Sequence, residues 1–338
     1  MKEIDVRIMA VDGSYLNHRL RGRIEETHIS WVILSKDYAF KIKKPLKLDF
    51  LDFSTLGLRK KNCEKELDLN RRFSSIYLAV LPIRFVNKKW VIGESPKGPV
   101  SEYCVQMKKM QVSKRLDNMF HLQKVKAKSI KSLAMQIASF HHKAMKTFNR
   151  FEIQKHREIF NEISTIIPTV KEHIDTHHAN IVLKAIRWSD RFLKHYGDRI
   201  QTRITNGFQR DVHGDLHCGN IFLYSKPVLF DCIEFNDQFR QIDVLYELAF
   251  LCMDFERFHQ KHLSQAFLQA YGQYFSAFQV NEDYTLFIYF KSLRANIRAK
   301  VHALQFEQTE NQKEAALQLS EVQKYLELMN SYINQVPL

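Results

Sequence analysis

The chain has 338 residues, a hydrophobic fraction of 45% that includes 25 Phe and 13 Tyr, and a formal net charge of +14. A chain this apolar excludes intrinsic disorder, and its length suits two lobes, each burying its own core. No apolar run of about 18 residues occurs, which excludes a membrane-spanning helix, and the charged start over residues 1–10 lacks the apolar stretch of a secretory signal, so a cytoplasmic protein is expected.

The five cysteines form no C-x-x-C pair and fit reduced thiols better than a disulfide framework. Lys and Arg are spread along the whole chain without a recognisable nucleic-acid motif. A basic surface with a positive cleft for an anionic nucleotide explains the charge equally well, and nucleic acid is not the expected partner.

In chain order, residues 29–34 and 38–43 read as two strands joined by a turn at Ser35-Lys36-Asp37. Lys44-Pro45 ends the second strand, because proline cannot donate to a ladder. Ser54 or Thr55 is available to cap a helix over residues 54–73. Extended segments follow at 78–86, 89–92 and 102–110, with Asn87 in the first turn and Gly93, Pro96, Gly98 and Pro99 in the later loop. Residues 1–110 are thus expected to form a small antiparallel sheet with one helix. Apolar residues at helical spacing over 130–145, 181–196, 244–258, 263–278 and 315–332 predict a larger, mainly helical region from 111 to 338. A loop-and-strand insert at 211–235 interrupts it. No repeat, low-complexity tract or Gly/Ser linker occurs, so the boundary near residue 110 reads as a hinge between lobes.

That insert carries the chemistry. In Val212-His213-Gly214-Asp215-Leu216-His217-Cys218-Gly219-Asn220, an aspartate is followed five residues later by an asparagine, and a strand pair then leads to Asp231. The spacing reproduces the protein-kinase pattern H-R-D-x-x-x-x-N followed by a metal-binding aspartate. Phosphoryl transfer needs such parts because its transition state is positioned and charge-neutralised, with little covalent assistance. One carboxylate, Asp215, accepts the hydroxyl proton, while the Asn220 amide oxygen and the Asp231 carboxylate are hard ligands suited to magnesium. Each residue taken alone reads as turn chemistry; the ordered set does not. Strand alternation places Ala39, Lys41 and Lys43 on one face, so Lys41 is the candidate for the nucleotide phosphates, with Lys43 the runner-up. Its partner belongs on the following helix, where Glu64 and Glu66 both lie.

At these residues the chain resembles the aminoglycoside phosphotransferase and choline kinase branch of the kinase superfamily, which writes its catalytic loop as H-G-D-x-H-x-x-N and replaces D-F-G by D-x-x-x, here Asp231-Cys232-Ile233-Glu234. More narrowly, Glu26-Thr27-His28-Ile29-Ser30-Trp31-Val32, Phe40-Lys41-Ile42-Lys43-Lys44-Pro45, Phe50-Leu51-Asp52-Phe53-Ser54-Thr55-Leu56, Glu66-Leu67-Asp68-Leu69-Asn70-Arg71-Arg72 and Glu247-Leu248-Ala249-Phe250-Leu251 are similar to an uncharacterised bacterial group of that branch. The resemblance implies a two-lobed, protein-kinase-like α+β fold and transfer of the γ-phosphate of ATP, with GTP as the alternative nucleotide, to a hydroxyl of a small molecule. It implies Asp215 as base, Asn220 and Asp231 on magnesium, Lys41 on the phosphates, Glu66 as its partner, His213 as a brace of the catalytic loop and Asp243 as its anchor from the next helix. Members of the group are often fused to a P-loop domain; no G-x-x-x-x-G-K-[ST] occurs here, so the kinase-like unit alone is expected. Where a glycine-rich phosphate loop would lie, the chain has Glu25-Glu26-Thr27-His28, with backbone amides and His28 or Ser30 as donors.

The pairs His141-His142 and His177-His178 lack the i, i+4 spacing of helical zinc ligands. His217 reads as a loop brace, and Arg294, Asn296, Arg298 and Lys300 as a solvated helix face that is a less favoured candidate for an acidic or phosphorylated substrate. Two rival functions share the pattern: a protein kinase, against which the helical C-terminal region without an A-P-E segment argues, and a nucleotide-binding pseudokinase or scaffold, which the glycine-poor turn favours.

Overall fold

The structure is a computed structural model that describes residues 1–48, 50–94 and 98–338. Pro96, expected to punctuate a loop, lies outside the described residues. The chain divides into two compact units, one of Met1–Asn118 with Asn220–Phe239, the other of Met119–Gly219 with Arg240–Leu338.

The first unit opens with helix α1 (Glu3–Asp12) and strands β1 (Ser14–Tyr15), β2 (His18–Arg19), β3 (Arg23–Glu26), β4 (Ser30–Leu34) and β5 (Tyr38–Lys43). A hairpin of β6 (Lys47–Leu48) and β7 (Leu51–Asp52) leads to helix α2 (Leu56–Arg71), followed by β8 (Tyr77–Val86), β9 (Lys89–Ile92) and β10 (Val100–Lys108). Among the described residues the main sheet has eight strands in the order β2-β1-β9-β8-β10-β5-β4-β3. Its pairs are antiparallel except β1 with β9, which run parallel.

The alternation read from residues 39–43 is the organising fact of this sheet. Phe40 and Ile42 enter a core with Trp31, Ile33, Ile83 and Ile92, which α1 closes with Val6, Met9 and Ala10. Ala39 faces the opposite side, packing with Cys63 of α2 and with Tyr77, Val105 and Met107. Helix α1 and strands β1 to β3, of which β2 and β3 form the sheet's edges, were not expected from the sequence, and the region holds two helices where one was anticipated. The reason is local: β2 is wholly exposed and β3 carries a single apolar residue, Ile24, so neither shows a hydrophobic period. Thr55 caps α2 by accepting from the Leu58 amide at 3.2 Å. The buried stripe of α2 is Arg59, Cys63, Glu66 and Asn70, which is polar where a structural helix would be aliphatic. Arg59 Nε meets both Glu102 oxygens at 3.0 and 2.9 Å and so ties α2 to β10.

The second unit takes the second half of helix α3 (Leu116–His121), from Met119, then α4 (Ala127–Lys143), α5 (Ile153–Asn161), α6 (Ile167–His173), α7 (Thr176–Thr205) and strand β11 (Gln209–Asp211). The chain then supplies the first unit with the hairpin β12 (Ile221–Phe222) and β13 (Val228–Leu229), whose Val228 and following Phe230 join the Ala39 and Cys63 cluster. Strand β14 (Gln241–Asp243) pairs antiparallel with β11, and α8 (Val244–Arg257), α9 (Lys261–Gly272), α10 (Asn281–Gln308) and α11 (Gln312–Gln335) complete the second unit. Helix α8 is buried from Val244 to Phe255 apart from Tyr246 and forms the centre against which α9 and α10 pack. Helix α10 escaped the periodicity because its buried face includes Lys291, Ser292, Arg294, Asn296 and His302. No helix among the described residues is long and apolar enough to cross a membrane, and all five cysteines are buried thiols.

Candidate active site

In the first unit, strand β5 delivers two lysines to one buried carboxylate. Lys41 Nζ lies 2.9 Å from Glu66 Oε1 and 2.5 Å from Asp231 Oδ1, and Lys43 Nζ lies 2.5 Å from Glu66 Oε2 and also pairs with Glu234. Lys43, Glu66 and Glu234 are almost completely buried. Two ammonium groups thus meet three carboxylates, an arrangement that survives burial only because each charge is paired. Burial works against the Lys41 charge, yet Asp231 and then Glu66 outweigh it and hold the ammonium well above its usual range. Burial likewise opposes the Glu66 charge, but Lys41 and Lys43 hold that carboxyl below its usual range. Glu234 goes the other way: burial pushes its carboxyl up further than Lys43 draws it down.

Asp231 is held in place through its backbone. Its amide donates to Tyr77 Oη at 2.9 Å, and the next amide, of Cys232, donates to Asn70 Oδ1 at 2.9 Å. Its φ of 62° lies in the left-handed region, where aspartate is tolerated at a cost of about 1–2 kcal/mol and where strain concentrates at functional sites. The carboxylate is 41% exposed. Asn220 is buried, and its carbonyl accepts from the Phe230 amide at 3.2 Å, joining the end of the catalytic-loop motif to the Asp231 segment. Among the described residues no group of three or more His, Cys, Asp or Glu is arranged to hold a metal.

In the second unit, Asp215 sits on a loop that α8 and α10 brace. Gly214 adopts φ 85°, a conformation that costs glycine nothing. Glu247 of α8 accepts from the His213 amide at 3.2 Å and the Gly214 amide at 2.6 Å. His141 of α4 hydrogen-bonds Glu247 at 3.0 Å and Tyr271 at 2.7 Å. Further along, the Cys218 amide donates to Asp254 at 2.8 Å. His217 Nδ1 accepts from the Gly219 amide at 3.1 Å, which leaves Nε2 to carry the ring proton toward Asp215 Oδ2, 3.5 Å away. A Cβ on Gly219 would lie 2.7 Å from that ring, so a side chain there would have to displace it. Burial pushes the Asp215 carboxyl up, but His217, then Arg294 and His213, outweigh it and hold the carboxyl below the ordinary carboxylate range.

Lys41, Glu66, Asn220 and Asp231 therefore belong to the first unit, and Asp215 to the second, the division falling between Gly219 and Asn220. Lys43 shares Glu66 with Lys41 instead of competing with it, and Glu64 lies on the exposed side of α2 beside Lys60. The loop is anchored by Glu247, one turn beyond the Asp243 named for that task. Asp243 instead caps α8 through the Leu245 amide and receives Arg203 at 2.7 and 2.9 Å. The basic face of α10 is not solvated: Arg294 and Asn296 are buried, Arg294 donating to the Gly214 carbonyl at 3.0 Å and Asn296 to Phe160 O at 2.9 Å. Of the donors read in the turn after β3, Ser30 is fully buried, its Oγ without a partner. Glu234 and Glu247 are residues to which a sequence reading gives no role, and Arg294, read there as part of a solvated face, has its burial missed. The signal for the first was its place in D-x-x-E, for the second its place in E-L-A-F-L, and for the third an arginine set between apolar neighbours.

No protein-family model matches the chain. Its fold is that of the GDP complex of wild-type aminoglycoside 2'-phosphotransferase-IIIa, with a TM-score of 0.51 and 15% identity over 90% of this chain and 91% of that one. At that identity the likeness is one of fold, and the chain accordingly has a kinase-like α+β fold. A choline/ethanolamine kinase family protein from Mesorhizobium loti aligns with a TM-score of 0.47 and 11% identity over 97% of this chain and 98% of its own. In sequence, the chain is 29% identical over 297 residues to an uncharacterised protein of Mycobacterium tuberculosis, covering 84% of this chain. It spans about half the length of that relative, 55%.

Proposed function

We propose that the chain is a phosphotransferase of the aminoglycoside phosphotransferase and choline kinase branch, moving the γ-phosphate of ATP to a hydroxyl of a small molecule with the aid of magnesium. The observation that carries this reading is the junction of Lys41 with both Glu66 and Asp231. A scaffold has no physical need to gather a strand lysine, a helix glutamate and a strained, half-exposed aspartate at one point.

The donor set fits the implied groups. Asp231 and Asn220 offer the hard oxygens that magnesium prefers, and the exposed Asp231 carboxylate leaves room for further oxygen ligands from phosphates and water. Magnesium, when bound, neutralises charge on the phosphates during transfer. Lys41, kept charged by its two carboxylates, holds nucleotide phosphates as a fixed cation. Asp215, ionised at neutral pH, orients the acceptor hydroxyl and takes its proton, while Glu247 fixes the loop on which it rides. GTP can replace ATP in this scheme without changing any of these roles.

The glycine-free turn at Glu25-Glu26-Thr27-His28 favours a second reading, a nucleotide-binding scaffold without turnover. One experiment separates the two: calorimetric titration of magnesium-ATP and magnesium-GTP into wild type and Asp215→Ala, alongside phosphate transfer to a panel of hydroxylated metabolites. Binding in both proteins with turnover in wild type alone supports the enzyme. Binding without turnover in either supports the scaffold, and no nucleotide binding by folded wild type removes both.

A further inference from the structure

The acceptor face of the second unit is basic. Arg294 and Arg298 lie one turn apart on α10; Arg294 bonds the Gly214 carbonyl, next in the chain to Asp215, while Arg298 Nη2 lies 3.0 Å from His302 Nε2 with its guanidinium over the Tyr325 ring. Arg294 is 8% exposed, its guanidinium carbon 3.9 Å from the Tyr246 ring centre and 4.6 Å from that of Phe250. It donates one hydrogen bond, from Nη2 to the Gly214 carbonyl, and its Nε is buried with no partner. A buried guanidinium N–H left unpaired is costly, and a planar fork with spare donors is shaped for a carboxylate or phosphate.

Apart from Asp215, whose side chain is 40% exposed, the carboxylates of α8 are already engaged. Of the carboxylates on α8 and its neighbour α11, Glu247 is taken by two amides and His141, and Asp254 by the Cys218 amide. Glu256 is taken by Lys291 and Tyr332, and Glu321 by Arg257 and Lys324. The rings of Tyr246 and Phe250, which would suit a quaternary ammonium, already carry Arg294 as their cation.

We propose that the acceptor is an anionic hydroxyl compound, its carboxylate or phosphate received by Arg294 and Arg298 so that its hydroxyl meets Asp215. This rests on the phosphotransferase reading above. The hydroxyl oxygen bonds to the γ-phosphorus as the bond from that phosphorus to the departing nucleoside diphosphate breaks, and the hydroxyl proton passes to Asp215. The products are the nucleoside diphosphate and the phosphorylated anion.

The test measures binding and phosphorylation of glycerate, glycerol 3-phosphate and ribose 5-phosphate against ribose, choline and kanamycin, in wild type, Arg298→Met, Arg294→Met and Arg294→Lys. Wild type is expected to favour ribose 5-phosphate over ribose by about tenfold or more in kcat/KM. Arg298→Met is expected to raise KM for the anionic acceptor by about tenfold or more, with a smaller fall in kcat. Arg294→Lys should recover part of what Arg294→Met loses, because charge remains while the fork is lost. Preference for choline or kanamycin, failure to bind any of the anionic probes, or equal losses with neutral and anionic acceptors in the arginine variants would overturn the inference while leaving a phosphotransferase in place. Lack of magnesium-nucleotide binding by wild type would remove the phosphotransferase reading and this inference together.

Discussion

Asp215 and His217 form the smallest unit of the proposed chemistry. A carboxylate whose pKa is depressed by a neighbouring imidazole and guanidinium is ionised at neutral pH, so it accepts a hydrogen bond from a hydroxyl without first losing a proton. Asp215→Asn keeps the shape and removes the acceptor; kcat is expected to fall by on the order of 10²–10⁴, with nucleotide affinity retained in calorimetry. The pH dependence follows from the sign of the shift. Since the folded-state pKa lies below the ordinary aspartate value of about 3.9, activity governed by Asp215 persists as pH falls until that lower value is crossed. In His217→Ala the largest stabilising neighbour is gone, so the acidic limb of the rate profile moves to higher pH. An unmoved limb would mean that His217 does not tune this carboxylate.

At the level of elements, β5 and α2 share a buried ion network, and its stability is that of its pairings. Lys43→Met leaves Glu234, and half of Glu66, buried without a cation, a change expected to cost about 3–5 kcal/mol in denaturant unfolding. Glu234→Gln removes one of the three carboxylates from the same network and is expected to cost less than Lys43→Met. On the other side, Glu247→Ala leaves the His213 and Gly214 amides without their carboxylate, and hydrogen exchange at those two amides is expected to accelerate ahead of the rest of α8.

These elements also mark how far the sequence could be read. Asp215, Asn220 and Asp231 could be nominated because they stand at a fixed spacing from one another, and Lys41 because strand alternation put it on one face, with Lys43 left as runner-up. Glu66 needed the family resemblance, since helix geometry alone left Glu64 as an equal. The contacts of Glu234, Glu247 and Arg294 were not legible, because they run across the fold, Lys43 to Glu234 or Arg294 to the Gly214 carbonyl, and no local pattern encodes them. Helices α1 and α10 were lost for the opposite reason, a local pattern blurred by exposed apolar residues in one, Ile4 and Ile8, and buried polar ones in the other.

For the whole molecule, nucleotide binding is expected to appear as stabilisation. Magnesium-ATP at a hundred times its Kd should add about 2.7 kcal/mol to the unfolding free energy, and the magnesium-dependent part should vanish in Asp231→Asn. A metal-independent shift that Asp231→Asn leaves intact would point to phosphate contacts made elsewhere.

The first unit is also discontinuous: its eight-stranded sheet ends at residue 108, yet Asp231, Glu234 and the partners of Tyr77 and Asn70 arrive only with Asn220–Phe239. On a ribosome, the sheet emerges long before the segment that neutralises its lysines, and Glu66 must face Lys41 and Lys43 without the other two carboxylates while some hundred further residues are made. A fragment cut after residue 118 freezes that stage. The N-terminal portion therefore reaches its full set of ion pairs only after the segment proposed to bind metal has been made.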